Sequence, residues 1–475
     1  MKNYVFYDTE TTGTLRGYDQ ILQVAAIRTN CDFNVIDKEE ASFNIRCRRL
    51  SYQVPSPGAL LVTNLEPHDL EEAHLSHYEL VQSMRKKFVS WSPACFTGFN
   101  SIGFDEILIR QAFYQTLHPI YLTQFSGNTR ADAYLMAQAI AMHAPSAIRI
   151  GDAVEGSFRL GNLAAANGVD LQTDAAHEAM ADAKAALGLM RVMRDRAPAL
   201  FARMMLNSDR NFVVSFITDT PVFQWSAVFG RNRLSERVTY VGAPPSDRNL
   251  LILFNLSFDP DELFPLSDDA LANWIYGPVK AFRRVRANAF PIILPLEFPA
   301  HDGKAGLPAE AELYRRAAAV AANAEFRDRV IQILERKCLD RPKANFVEDR
   351  IYDEFITPHD ARLCCQFHLM PWENRLALVH GLDDERLRQL ATRLIFVERP
   401  DCLPENIRSE MISWELARIE ADGEVPWLSA PAAIDQLRAM WRSADPAVRQ
   451  KLEKLAAYIG SLRSLATQKP HVISR

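Results

Sequence analysis

Across roughly its first two hundred residues the chain alternates between two hydrophobic periods, which limits it to architectures where helices cover a sheet. The runs YVFYDTE, ILQVAAIRT and ACFTGFN have the length and composition of strands. EILIRQAFYQTL, ADAYLMAQAIAMHA and HEAMADAKAALGLMRVMRDR instead place apolar residues at helical spacing, the last rich in Ala, Leu and Met. An α/β domain with a mixed sheet is the expectation for residues 1–198. From Phe201 to about Pro299 the pattern turns to short β-rich runs, FVVSFI, RVTYVGA, NLLILFNL and AFPIILPLEF, broken by turn residues, with one helix at SDDALANWIY. A small barrel or sheet domain is expected, bounded at 199–350. Beyond Pro308 the spacing becomes helical, and 351–475 reads as an all-α domain.

At 475 residues and 48% hydrophobic content, two or three domains with sizeable cores are expected. No run of about 18 uncharged apolar residues occurs, and the opening MKNYVFYDTE lacks an apolar signal segment, so the expected compartment is the cytoplasm. Seven cysteines without a C-x-x-C pair argue against a disulfide framework and a zinc knuckle. A net charge of −5 does not advertise a nucleic-acid partner, so any such partner would be held by local patches. Two segments qualify, NIRCRRL (Arg46, Arg48, Arg49) and KAFRRVR (Lys280, Arg283, Arg284, Arg286), although such charge runs are also ordinary solvated faces.

The first strand ends in Asp8-Thr9-Glu10. Residues two apart on a strand share a face, so two carboxylates stand side by side there. Such a pair repels itself unless a cation intervenes, and a divalent metal is the natural one; two solvent-facing charges at a strand end is the competing reading. GFNSIGFDEILIRQAF places Asp105 at the start of a helix after a strand, and AHEAMADAKAALGLM places Asp182 one to two turns into another. Each alone is an ordinary helix carboxylate. His177 precedes Asp182 by five residues, an angular offset of about 140° on a regular helix, so the two could not share a metal from it. The coherent arrangement keeps Asp182 as a ligand and leaves His177, at the helix start, free to take a proton from water near neutral pH.

The ordered set Asp8-x-Glu10, Asp105 and His177-x-x-x-x-Asp182 resembles the DEDDh exonuclease superfamily. Further segments, VAAIRT, FNVID, PSPGALLVTNL, GFNSIGFDE, GSFRLGNLAAANGV and AHEAMAD, are similar to bacterial exonuclease I, a family of single-strand DNA 3′-to-5′ exonucleases. The resemblance implies a ribonuclease H-like exonuclease domain with a mixed sheet, then an SH3-like β-barrel domain and an all-α C-terminal domain. It implies that Asp8, Glu10, Asp105 and Asp182 ligate two Mg²⁺ ions, for which Mn²⁺ can substitute, and that His177 is the general base. Glu10, Thr11, Arg110 and Arg159 correspond to substrate contacts. Thr63-Asn64 departs from the family's usual Thr-Gly, and Thr9 stands where an aromatic can occur.

The implied reaction is two-metal-ion hydrolysis of single-stranded DNA to 5′-mononucleotides in repair or recombination, with the acidic C-terminal tail of the single-strand DNA-binding protein as a partner. No membrane association and a monomeric state are expected. Gly13 and the Thr11-Thr12 backbone would admit the 3′-terminal sugar, and Phe96, Phe99, Phe104, Phe113, Tyr114 and Trp225 are the aromatics available for base stacking. A proofreading or RNA-trimming exonuclease, and a non-catalytic single-strand-binding repair protein, stand as alternatives.

Overall fold

The computed structural model describes residues 3–36, 40–63, 65–151, 158–170, 178–230, 232–301, 308–339 and 344–468. Among them the strands form two five-stranded sheets. The first contains β1 (Asn3–Thr11), β2 (Ile21–Thr29), β3 (Ser42–Arg46), β4 (Ala94–Gly98) and β5 (Thr129–Asp132) in the order β3-β2-β1-β4-β5. The β2 strand runs antiparallel to β1 and β3, while β1, β4 and β5 are parallel. This is the mixed sheet that the alternating pattern calls for.

Strand period decides what β1 shows to each layer. Val5 and Tyr7 sink into a core with Leu80, Met84 and Phe88 of the helix His77–Trp91 and with Leu108 and Ile109 of the helix Asp105–Gln115. Phe6 faces the other way, into a core with Ile140 of the helix Ala133–His143 and Leu189 and Met190 of the helix Ala179–Arg196. Asp8 and Glu10 continue the Phe6 face beyond the point where the apolar layer ends. The parallel strands deliver their C-terminal ends to one edge, the place where open α/β sheets put ligand sites.

The second sheet is antiparallel: β6 (Phe223–Phe229), β7 (Asn232–Gly242), β8 (Leu250–Asn255), β9 (Phe282–Arg286) and β10 (Ile292–Leu294), in the order β10-β6-β7-β8-β9. FVVSFI, expected as a strand, is instead part of the helix Arg210–Asp219. Val213 and Ile217, four apart, point into the core, and Asp209 accepts a hydrogen bond from Asn211 N–H at the helix start. Helical spacing and a cap outweigh β-branched content. The strand expected across AFPIILPLEF shrinks to three residues because Pro291 and Pro295 flank it. Neighbouring Phe290, at φ 52°, inserts into the first module's core with Ile292 and Leu294.

The C-terminal helices lean on the first module through two cores. Tyr78, Tyr114 and Leu117 pack with Phe367, Leu390 and Ile395, while Leu22, Leu60 and Leu70 pack with Ile419, Leu455 and Ile459. The approach to these helices is strapped along the helix that begins at Asp105: Gln111 Nε2 donates to Glu348 O at 2.9 Å and Tyr114 Oη to Val347 O at 3.1 Å. The Glu348 side chain, 1% exposed, holds Arg393 at 2.8 Å and Arg418 at 3.0 Å. Burial works against its ionised form, but the two guanidiniums hold its carboxyl below the usual range. Removing one member of a buried ion network strands the others. Glu348→Ala should therefore destabilise the fold by about 3–5 kcal/mol, read as a lowered urea midpoint; an unchanged midpoint would show that Arg393 and Arg418 find other partners.

Candidate active site

Asp8, Glu10 and Asp182 offer carboxylate oxygens that all lie within 4.8 Å of one another. Two come from β1 and the third from the helix Ala179–Arg196, where Asp182 lies in the first turn. Asp105 arrives from the opposite face of the sheet: its Oδ1 accepts Thr9 N–H at 3.0 Å and Thr9 Oγ1–H at 2.6 Å. Thr9, the residue between the two strand acids, therefore fixes the fourth carboxylate across the strand.

The loop that leads to Asp105 is itself held. Asp132, at the end of β5 and 1% exposed, accepts N–H bonds from Asn100 at 2.8 Å, Ile102 at 3.1 Å and Tyr134 at 2.9 Å. Asn100 takes φ 59° to make the turn. Gly98 before it has no room for a side chain, since a Cβ would lie 2.7 Å from Tyr7 O.

Burial and mutual repulsion dominate the electrostatics. Burial raises the Asp8 carboxyl well above its usual range, and among the described residues the charges bearing most on it are those of Asp105, Glu10, Asp182 and Glu178. Glu10 is pushed up to about 8 by burial and then by Asp182, Asp105 and Glu178, with Arg46 opposing. Burial raises Asp105 to about 7 against its bonds from Thr9. Hard, all-oxygen donors converging on one point are the donor set of Mg²⁺, Mn²⁺ or Ca²⁺, so the residues present fit a divalent ion.

A second cluster, His359, Asp360 and Asp383, has other work. The two Asp360 oxygens accept N–H bonds from Asp383 and Asp384, and His359 Nε2 lies 3.0 Å from Gly381 O.

His177 lies outside the described residues. Thr11 is buried at the end of β1, its hydroxyl donating to Gly13 O at 2.7 Å. Arg159 is exposed at the start of the helix Leu160–Ala166. Arg110 is engaged by other groups: it is 3.5 Å from Glu106 and 3.5 Å from Tyr352 Oη, and packs over the Tyr121 ring. Gly13 is small because a Cβ there would fall 2.4 Å from Asp19 Oδ2, a local packing reason independent of a bound sugar. Of the stacking candidates, Phe96, Phe113, Tyr114 and Trp225 are buried in cores, leaving Phe99 and Phe104 half-buried. Sequence reasoning missed an edge-to-face row from Phe99 through Tyr134 to Phe158, at 5.5 and 6.2 Å, because its members are distant in sequence. The basic segments also divide: Arg46 is exposed near Glu10, but Arg49 is 3% exposed and bound to Glu71 and Tyr458, while Arg283 pairs with Glu236 at 2.6 Å.

Four acids are delivered by the strand ends and helix starts of a mixed sheet, and residues 5–190, which contain all four, match the family model described as Exonuclease. Along most of its length the chain is similar to exodeoxyribonuclease I. It is 27% identical to that of Haemophilus influenzae over 442 residues, covering 88% of this chain and 90% of the relative, and 29% identical to that of Escherichia coli K12 over 280 residues, 58% of each. Its fold is that of the moderately thermophilic exonuclease I from Methylocaldum szegediense, with a TM-score of 0.85 at 22% identity over 98% of this chain and 100% of the other. It also matches E. coli exonuclease I in complex with a 5cy-dT13 oligonucleotide, with a TM-score of 0.84 at 21% identity over 97% of this chain and 100% of that one.

The raised carboxyl groups fix the sign of a pH effect. Their folded-state pKa values exceed those of the unfolded chain, so their contribution to stability is fully present below the ordinary carboxylate range and is lost as pH rises through about 7 and 8 for Asp105 and Glu10. A divalent cation bound to the ionised acids reverses that loss. The melting-temperature gain on adding Mg²⁺ should therefore widen from pH 5 to pH 8; an equal gain at both would place the cation elsewhere.

Proposed function

We propose that this chain is a 3′-to-5′ exonuclease that hydrolyses single-stranded DNA to 5′-mononucleotides. The observation that carries the reading is the convergence of Asp8, Glu10 and Asp182 within 4.8 Å, with Asp105 joined to them through Thr9, inside an exonuclease domain. Asp8, Glu10, Asp105 and Asp182 would hold two Mg²⁺ ions, with Mn²⁺ a competent substitute. When bound, such ions acidify water and neutralise charge on the phosphodiester.

The chain's own residues do the rest. His177, immediately before Glu178, is the proposed base that takes the proton of the attacking water, as the neutral imidazole does near pH 7. The backbone of β1 from Glu10 to Thr11 would bound the 3′-terminal nucleotide. Arg159 supplies an exposed positive charge beside Phe158, so a phosphate and a base could be met by adjacent side chains. Arg110, committed to Glu106 and Tyr121, would meet the strand only farther along. The second sheet is the counterpart of an SH3-like barrel in this reading, and residues 1–198, 199–350 and 351–475 the three domains. A monomeric protein that also binds the acidic tail of a single-strand DNA-binding protein completes the proposal.

Two substitutions test it. Asp182→Ala should abolish release of mononucleotides from a 3′-ended single strand in Mg²⁺, and undiminished release would remove the ligand assignment. His177→Ala should slow turnover by roughly 10²–10⁴-fold while strand binding persists. Comparing DNA with RNA of the same sequence separates this reading from an RNA-trimming enzyme.

A further inference from the structure

The helix that carries Asp182 is preceded by Glu178, whose side chain makes no capping bond to the helix backbone. Its carboxylate is drawn onto the sheet. Oε1 accepts from Gln23 Nε2 at 2.8 Å and from Asn44 Nδ2 at 2.6 Å, and Gln23 Nε2 also donates to Asn44 Oδ1 at 2.7 Å. The three side chains form a closed ring of hydrogen bonds from β2, the edge strand β3 and the helix start. Gln23 is 1% exposed and pairs directly with Glu10 in the β1–β2 register, so the ring closes beside one of the strand acids.

This arrangement is electrostatically costly. The Glu178 charge adds to the repulsion felt by both Asp8 and Glu10. Solvation alone does not account for a fifth carboxylate whose oxygen is bound by two carboxamides. What the ring accomplishes is positional: it docks the first turn of the helix at a set distance from β1, and Asp182 lies one turn on.

We propose that Glu178 is a positioning residue, held by Gln23 and Asn44, that sets Asp182 against Asp8 and Glu10. The proposal rests on the exonuclease reading. The ring works through its acceptor oxygen, so glutamine, which keeps a carbonyl oxygen there, replaces glutamate far better than alanine does.

The test uses the full-length protein with Glu178→Ala, Glu178→Gln, Asn44→Ala and the double variant Glu178→Ala/Asn44→Ala. Turnover on a 3′-labelled single strand is measured beside Mn²⁺ affinity by calorimetry and melting temperature. Glu178→Ala should lower kcat by about 10²-fold with little change in KM, the scale of a misplacement near 1 Å. Glu178→Gln should recover at least tenfold of that loss, with Mn²⁺ affinity closer to wild type than in the alanine variant. The double variant should be no slower than Glu178→Ala, since both substitutions break one ring. Asn44, on the exposed edge, provides a variant that folds if Glu178→Ala does not. A glutamine variant as impaired as alanine in both turnover and Mn²⁺ affinity, or an alanine variant equal to wild type, would overturn the proposal. If the wild-type chain releases no nucleotide the exonuclease reading falls, and Mn²⁺ affinity across the same variants still decides the role of Glu178.

Discussion

Carboxylates crowded at the end of one strand are the constraint around which the first module is built. Carboxylate oxygens of Asp8, Glu10 and Asp182 lie within 4.8 Å of one another, with Asp105 and Glu178 close enough to raise the proton affinity of Asp8 and Glu10 further. Such a group is unfavourable for folding, because each charge is partly desolvated and its neighbours have the same sign. The chain holds it by placing each acid on an element whose position is determined elsewhere. The strand acids extend the apolar face of Phe6, Asp182 rides a helix packed through Leu189 and Met190, and Asp105 begins a helix packed through Leu108 and Ile109. Local stability is sacrificed where the chemistry lies, and the two cores on either side of β1 offset it.

The same logic reaches beyond the acids. Glu106, next to Asp105 and 1% exposed, accepts bonds from Tyr7 and Thr123 and pairs with Arg130 at 3.2 Å, while Arg130 also donates to Asn288 O in the second module. The turn between β9 and β10 thereby reaches, through Arg130, the residue adjoining a candidate ligand, and Phe290 enters the same core as Phe6. The stretch Val347–Tyr352, on the approach to the C-terminal helices, braces the Asp105 helix through Gln111 and Tyr114. These connections give the later portions of the chain a structural role at the site without contributing an acid to it.

Much of this was legible in sequence, for reasons that mark where legibility stops. Strand period alone puts Asp8 and Glu10 on one face, and helix starts alone place Asp105 and Asp182, because these are local rules. The helix Arg210–Asp219 was hidden by β-branched content, and the edge strand Ser42–Arg46 by its shortness, with only Phe43 and Ile45 on its half-buried apolar face. Asp132, the ring of Gln23, Asn44 and Glu178, and the row Phe99, Tyr134 and Phe158 depend on residues brought together across the fold. No local pattern signals such partners. The confinement of Phe96, Phe113 and Tyr114 to cores follows similarly from layer packing rather than from residue type.

The account stands on the acids at the end of β1 being a metal centre. Anomalous diffraction from crystals of this protein soaked in Mn²⁺ examines that directly. The account requires a peak among the oxygens of Asp8, Glu10 and Asp182, with a second ion, where present, on the same carboxylates. A peak confined to His359, Asp360 and Asp383, or none in the first module at saturating Mn²⁺, would contradict it.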